Sequence, residues 1–197
     1  MDSYIHKHRG EAGTAPSLEQ LINAIDQQVD QVPHLSPAEG LAAFLGERPE
    51  DFRQQGEKYV RFLIAGTTFA LPLENTLEID YFPDITPLPN LPQWVLGICN
   101  LRGDIVSVVD IKQIFKLSSK NVNRARKLVL IRNQNVSTAI VVDNVAGILV
   151  THEQDHQNDT NPMAGKPFSK FVKNAMVSDR QTVYFLDLDV LMTALKT

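Results

Sequence analysis

The 197-residue sequence has one cysteine and one tryptophan. It also lacks any long apolar run and any phosphate-cradling glycine loop. One cysteine excludes an intrachain disulfide framework. Cys99 stands in an apolar stretch, which predicts a small buried core residue rather than a nucleophile. No segment approaches the ~18 unbroken apolar residues of a membrane span. The start, Met1-Asp2-Ser3-Tyr4-Ile5-His6-Lys7, lacks the apolar core of a signal peptide. A soluble, cytoplasmic protein without direct membrane insertion is expected. There is no G-x-G-x-x-G, Walker loop or G-x-S-x-G, and no Cys–His pair can be argued from spacing. A net charge of -4 argues against binding nucleic acid through bulk charge. These absences favour a binding module without cofactor or metal over an enzyme.

What is present starts with an uneven charge. Residues 1–56 carry nine acids against four Lys/Arg, a balance of -5, whereas residues 57–197 carry fourteen against fifteen, a balance of +1. The sequence therefore divides into an acidic extension, 1–56, and a body, 57–197. Residues 1–16 are polar, with Gly10, Gly13 and Pro16, and are expected to be disordered. Ser17 and Gln20 form a capping box, and Leu18, Leu21, Ile22, Ile25, Val29 and Val32 follow at helical spacing. Ser36-Pro37-Ala38-Glu39 is a second helix start, with Leu41, Phe44 and Leu45 as its apolar face. One or two amphipathic helices are expected, packed on their own domain or touching a partner.

From Tyr59 the period becomes that of strands. Tyr59–Ala65 and Thr68–Leu71 read as a hairpin turning at Gly66-Thr67, with Pro72 marking an edge or bulge. Leu73–Ile79 reads as short extended or turn structure. Further strands are expected at 94–99, 105–109, 128–131, 138–142, 145–150, 172–177 and 182–186. Asp110 and Asp187 read as N-caps of short helices. Two parts rhyme: Val108-Val109-Asp110-Ile111 with Phe185-Leu186-Asp187-Leu188, and the hairpin at 59–71 with that at 128–142. Two similar mainly-β units are expected, and short strands with frequent turns suit small barrels. Arg102, with Gly103, stands at a tight turn between two core strands, where a recognition residue would be held rigidly and offered outward.

His152-Glu153-Gln154-Asp155-His156 matches the H-E-x-x-H zinc signature, which works only on a helix. It follows a strand and runs into a polar stretch, so a loop is expected. A zinc-dependent hydrolase is the alternative functional reading. The basic stretch 116–127 holds five Lys/Arg and no acid or aromatic, and reads as a solvated connector rather than a nucleic-acid patch.

Several blocks resemble the CheW domain of bacterial chemotaxis systems. They are Phe69-Ala70-Leu71-Pro72-Leu73, Leu77-Glu78-Ile79, Ile85 to Pro92, Gly97-Ile98-Cys99-Asn100-Leu101-Arg102-Gly103-Asp104-Ile105 and Val109-Asp110-Ile111. The resemblance covers about 57–197. It implies a mainly-β fold of two small SH3-like five-stranded β-barrels with short capping helices, to which the helical N-terminal extension is added. It implies a non-catalytic adaptor that couples the cytoplasmic tips of chemoreceptors to the regulatory domain of a CheA-type histidine kinase. Self-association within membrane-associated receptor arrays follows from the same likeness. The receptor-binding groove it implies involves Thr76, Gly97, Arg102, Ala139 and Val145. The chain departs from the pattern at Ser107, where the family often has Pro, and at Ala139 and Asn174, where it often has Gly. The added extension suits a specialised pathway such as pilus motility or phototaxis.

Overall fold

The computed structural model describes residues 46, 56–118, 126–152, 164–178 and 180–196. The helices expected between 17 and 45 lie outside them, as do most of the basic connector and of the polar loop after His152. The chain divides into two units, Met1–Leu35 and Ser36–Thr197, and every described residue falls in the second.

Among the described residues, the body holds ten strands and two short helices. The strands are β1 (Glu57–Ile64), β2 (Thr67–Pro72), β3 (Thr76–Tyr81), β4 (Val95–Leu101) and β5 (Asp104–Val109). Then come β6 (Lys127–Asn133), β7 (Val136–Val142), β8 (Asn144–Thr151), β9 (Val172–Ser178) and β10 (Gln181–Leu186). The helices are α1 (Ile111–Ile114) and α2 (Leu188–Ala194). Both have the expected aspartate cap: Asp110 accepts from the Lys112 N–H at 3.1 Å, and Asp187 from the Val190 N–H at 3.0 Å.

The strands form two five-stranded sheets, in the orders β8-β1-β2-β10-β9 and β3-β6-β7-β5-β4. The rhyme in the sequence appears here as a repeat, β1 to β5 corresponding in order to β6 to β10. The hairpins, however, are exchanged. The first sheet takes β1 and β2 from the first half and β8, β9 and β10 from the second; the other sheet takes the reverse. The exchanged hairpins are joined through two parallel pairings, β2 with β10 and β5 with β7. Ala70 and Ala139 occupy equivalent places, Ala70 between Arg61 and Phe185 and Ala139 between Leu130 and Val108.

Both faces of each sheet are covered, which explains why β6 and β7 read as near-continuous apolar runs rather than alternating ones. One face of each contributes to a shared core that holds Val60, Phe62 and Leu71 from the first sheet with Val109, Val129 and Ile140 from the second. The other face lines a private cluster: Tyr59, Ala70, Val183 and Phe185 in one case, and Cys99, Leu101, Val108, Leu130 and Ala139 in the other. The chain's few aromatic residues concentrate in the shared core. Phe69 lies 5.2 Å from Phe115 and 5.0 Å from Phe168, and Phe168 lies 5.0 Å from Tyr184, ring centre to ring centre.

Two local expectations are corrected. The first hairpin turns at Ala65-Gly66, not Gly66-Thr67. Both turn residues have positive φ, 51° and 76°, as a two-residue turn matched to strand twist requires. The Asp143 carboxylate stabilises this turn by accepting the Ala65 N–H at 2.6 Å. Pro72 marks neither an edge nor a bulge, since β2 is the central strand of its sheet. It is the last residue of the strand, where a missing N–H is harmless and leads into the 3-10 turn Leu73–Asn75.

Candidate functional site

Arg102 sits at the tip of the β4–β5 hairpin. Leu101 pairs with Asp104, so Arg102 and Gly103 are the two turn residues, with φ of 52° and 96°. Asn100 holds the turn through its Oδ1, which accepts the Gly103 N–H at 2.8 Å. An arginine in the left-handed region is uncommon, because its Cβ crowds the backbone there. Its side chain is 82% exposed, and Nε lies 2.9 Å from Oε1 of Glu78. Glu78 belongs to β3, one edge of the second sheet, while Arg102 closes the hairpin that carries the other edge, β4. The ion pair therefore spans the sheet's two edges. Among the described residues no ladder joins β3 to β4 or β8 to β9, so hydrogen bonding leaves both sheets open.

Gly97 is buried in β4 with φ of 143°. A Cβ there would stand 2.2 Å from the Thr86 carbonyl oxygen. Thr86 and Ile98 exchange both backbone hydrogen bonds, at 2.8 and 3.0 Å, so the proline-rich segment lies against the edge of β4. The close approach that Gly97 permits is thus made by the chain's own backbone. Gly97 also follows a bulge, opposite Val108, and its counterpart in the repeat is Asn174, opposite Phe185.

Thr76 and Val145 are likewise counterparts. Thr76 lies opposite Ile131 and Val145 opposite Phe62, each beside a register shift. Both are buried, and the Thr76 hydroxyl donates to the Pro72 carbonyl at 3.2 Å. Ala139 is fully buried in the private cluster of the second sheet. Of the five residues, then, only Arg102 presents its side chain to solvent. The other four shape the backbone around bulges and tight contacts. Sequence spacing alone carried no sign of the bulges, because an extra residue in one strand leaves the apolar pattern intact.

Thr76 and Leu77 also line a cleft of about 570 Å³, with Tyr59, Pro72 and Leu73 as apolar walls and Lys58, Glu57, Glu74 and Lys173 as charged ones. The Tyr59 hydroxyl donates to Glu57 Oε2 at 2.6 Å, and the Lys173 ammonium lies 5.7 Å from the centre of its ring. Burial, and then this bond to Glu57, push the Tyr59 phenol well above its ordinary pKa. Cys99 is buried as expected; burial and then the Asp80 charge raise its thiol pKa. That makes it a poor nucleophile. His152 is exposed just past the end of β8, and the rest of the H-E-x-x-H segment lies outside the described residues. No described helix is long and apolar enough to cross a membrane. An exposed apolar pair, Ile105 and Val136, stands at the end of the second sheet on the adjacent strands β5 and β7.

Residues 58–196 match the model of the CheW-like domain. The chain is 30% identical over 128 residues to the chemotaxis protein CheW of Thermotoga maritima, an alignment covering 65% of this chain and 82% of that one. It is 25% identical over 89 residues to the protein PilI of Pseudomonas aeruginosa, covering 45% of this chain and 50% of that one. The crystal structure of the scaffolding protein TtCheW from Thermoanaerobacter tengcongensis superposes with a TM-score of 0.61 at 22% identity. That superposition covers 69% of this chain and 87% of the other, and establishes the fold. With the family model spanning both sheets and both capped helices, the chain belongs to the CheW-like domain family.

Proposed function

We propose that the chain is a non-catalytic chemotaxis-type adaptor that couples a chemoreceptor to a CheA-type histidine kinase. The observation that carries this reading is Arg102: an exposed arginine held in a strained turn on a rigid hairpin, within a domain whose family is established. The ion pair joins an exposed arginine to a Glu78 side chain that is only 15% exposed; screened by solvent on the arginine side, it contributes about 1 kcal/mol. A left-handed arginine costs a similar amount. Local stability therefore gives no reason for arginine at a turn position that Asn or Gly would fill more easily, whereas recognition does.

In this reading Arg102 touches the receptor tip directly. Thr76, Gly97, Ala139 and Val145 shape the groove from beneath through the bulges and close packing they permit. Each sheet closes as a small SH3-like barrel through side chains rather than hydrogen bonds. The Arg102–Glu78 pair and the packing of Leu77 and Phe82 against the cluster of Cys99 and Leu101 serve this in the second sheet. The kinase's regulatory domain docks on the exposed end carrying Ile105 and Val136, an apolar pair whose counterparts in the repeat are the polar Thr182 and Thr67. Residues 1–56 add an acidic extension to the CheW-like domain. The protein works in the cytoplasm at membrane-associated receptor arrays, and the likeness to PilI favours a pilus-motility pathway.

Calorimetric titration of the full chain with a kinase regulatory domain and with a receptor tip from the same organism tests the proposal. Specific binding to both is expected. Absence of binding to either contradicts it, and stoichiometric zinc that is lost on His152→Ala favours the hydrolase reading instead.

A further inference from the structure

The two sheets repeat one another, yet their edges are finished differently. In the second sheet Thr86 exchanges both backbone hydrogen bonds with Ile98 on the outer edge of β4. Phe82, Ile85 and Leu96 pack there against the cluster of Cys99 and Leu101, and Arg126 lies 4.4 Å from the centre of the Phe82 ring. Gly97 makes room for this, since a Cβ on it would collide with the Thr86 carbonyl. In the first sheet the counterpart of Gly97 is Asn174. The counterpart of Ile98 is Ala175, which lies opposite Tyr184 as Ile98 lies opposite Ser107. The Asn174 Oδ1 accepts the Ala175 N–H at 2.7 Å. Asn174 thus satisfies from its own side chain the edge group that Thr86 satisfies in the other sheet, and its Cβ stands where that close approach would be made.

Beside Asn174 lies a cavity of about 350 Å³, lined also by Glu57, Tyr59, Lys173 and Phe185. It joins the cleft next to Thr76 through Glu57, Tyr59 and Lys173, which line both. Its size is at the lower end for a small-molecule site. Tyr59 and Phe185 are buried and supply its inner wall, while Glu57 and Lys173 are exposed. Lys173 and Leu96 are equivalent, each the extra residue of a bulge, a device that re-aims side chains. Glu57 stands where Arg126 stands, counting back from the paired Phe62 and Ile131. This pair of opposite charges therefore belongs to the first sheet alone. The Tyr59 hydroxyl donates to the Glu57 carboxylate at 2.6 Å, and its raised pKa keeps that proton in place. Glu57 offers a fixed acceptor. Lys173 offers a cationic donor, and Asn174, with its Oδ1 on the backbone, offers its NH2. A guest that satisfies both sides carries an anionic and a cationic group on one small frame.

We propose that this cavity binds a free α-amino acid, its carboxylate on Lys173 and Asn174 and its ammonium on Glu57. Such a site stands whether or not the chain is an adaptor. Solvent screens both charged contacts, so the expected affinity is modest, a Kd on the order of 1 mM.

The test is saturation-transfer NMR of the full-length chain with each of the standard α-amino acids at about 10 mM. At least one should bind saturably, whereas acetate and methylamine, which carry one charge each, should not. Lys173→Ala removes the cation from an exposed position on an edge strand. Glu57→Gln removes the anion while keeping an acceptor for Tyr59. Each should weaken binding by about tenfold or more, the scale of one charged hydrogen bond. Absence of binding by every amino acid, equal binding of acetate or methylamine, or binding left unchanged by either substitution overturns the assignment.

Discussion

At the level of single residues, the structure separates side chains that hold the fold from one that does not need to be where it is. Arg102→Asn keeps a residue suited to the left-handed turn and removes the guanidinium. It should leave stability within about 1 kcal/mol of wild type by urea denaturation, while weakening receptor-tip binding by ~1–3 kcal/mol. A large loss of stability with unchanged binding would make Arg102 a fastener for Glu78 rather than a contact. Gly97 has the opposite character. Gly97→Ala places a methyl group 2.2 Å from the Thr86 carbonyl at φ 143°, and should cost on the order of 3 kcal/mol in the same measurement. Both residues were singled out from the block running from Gly97 to Ile105. Their difference was not legible there, because it depends on Thr86, which comes alongside only when the proline-rich segment folds back on β4.

Among the elements, β1 ties the first sheet to the cleft. The raised Tyr59 pKa means the folded state holds that proton more tightly than the unfolded chain does. The stabilisation is fully present below the ordinary tyrosine value of about 10 and is lost as pH rises above it toward the folded value. Wild type should therefore lose stability between about pH 9 and pH 11 more steeply than Tyr59→Phe, by comparison of urea midpoints. Parallel curves would show that folding does not raise the Tyr59 pKa. At the other end of β1, Asp143→Ala removes the acceptor of the Ala65 N–H and should cost ~1–3 kcal/mol. Except for β3, which read only as short extended or turn structure, the strands and both Asp caps were legible from apolar runs and cap chemistry. The turn at Ala65-Gly66 was placed one residue late, because its acceptor, Asp143, lies 78 residues further on.

For the whole molecule, the exchanged hairpins decide how the fold holds together. The rhyme between the halves suggested two self-contained units, yet each sheet draws strands from both halves. Internal similarity records that the halves share a pattern, not which strands pair, since β2 and β7 carry the same kind of apolar run. Fragments 57–118 and 126–196 should each lack stable β structure alone and regain it when mixed, by far-ultraviolet circular dichroism. Two independently folded fragments would contradict the exchange. The same intertwining lets one domain hold Arg102, the cleft and the exposed end at Ile105 and Val136 in fixed relation, as a bridge between two partners requires.

The most direct measurement of that bridging is co-sedimentation of the kinase with receptor-bearing membranes, with and without the full-length chain. If the chain is the adaptor, kinase should pellet with the membranes only when the chain is present, and Arg102→Asn should reduce the amount recovered. Kinase recovery that does not change when the chain is added would contradict the adaptor reading.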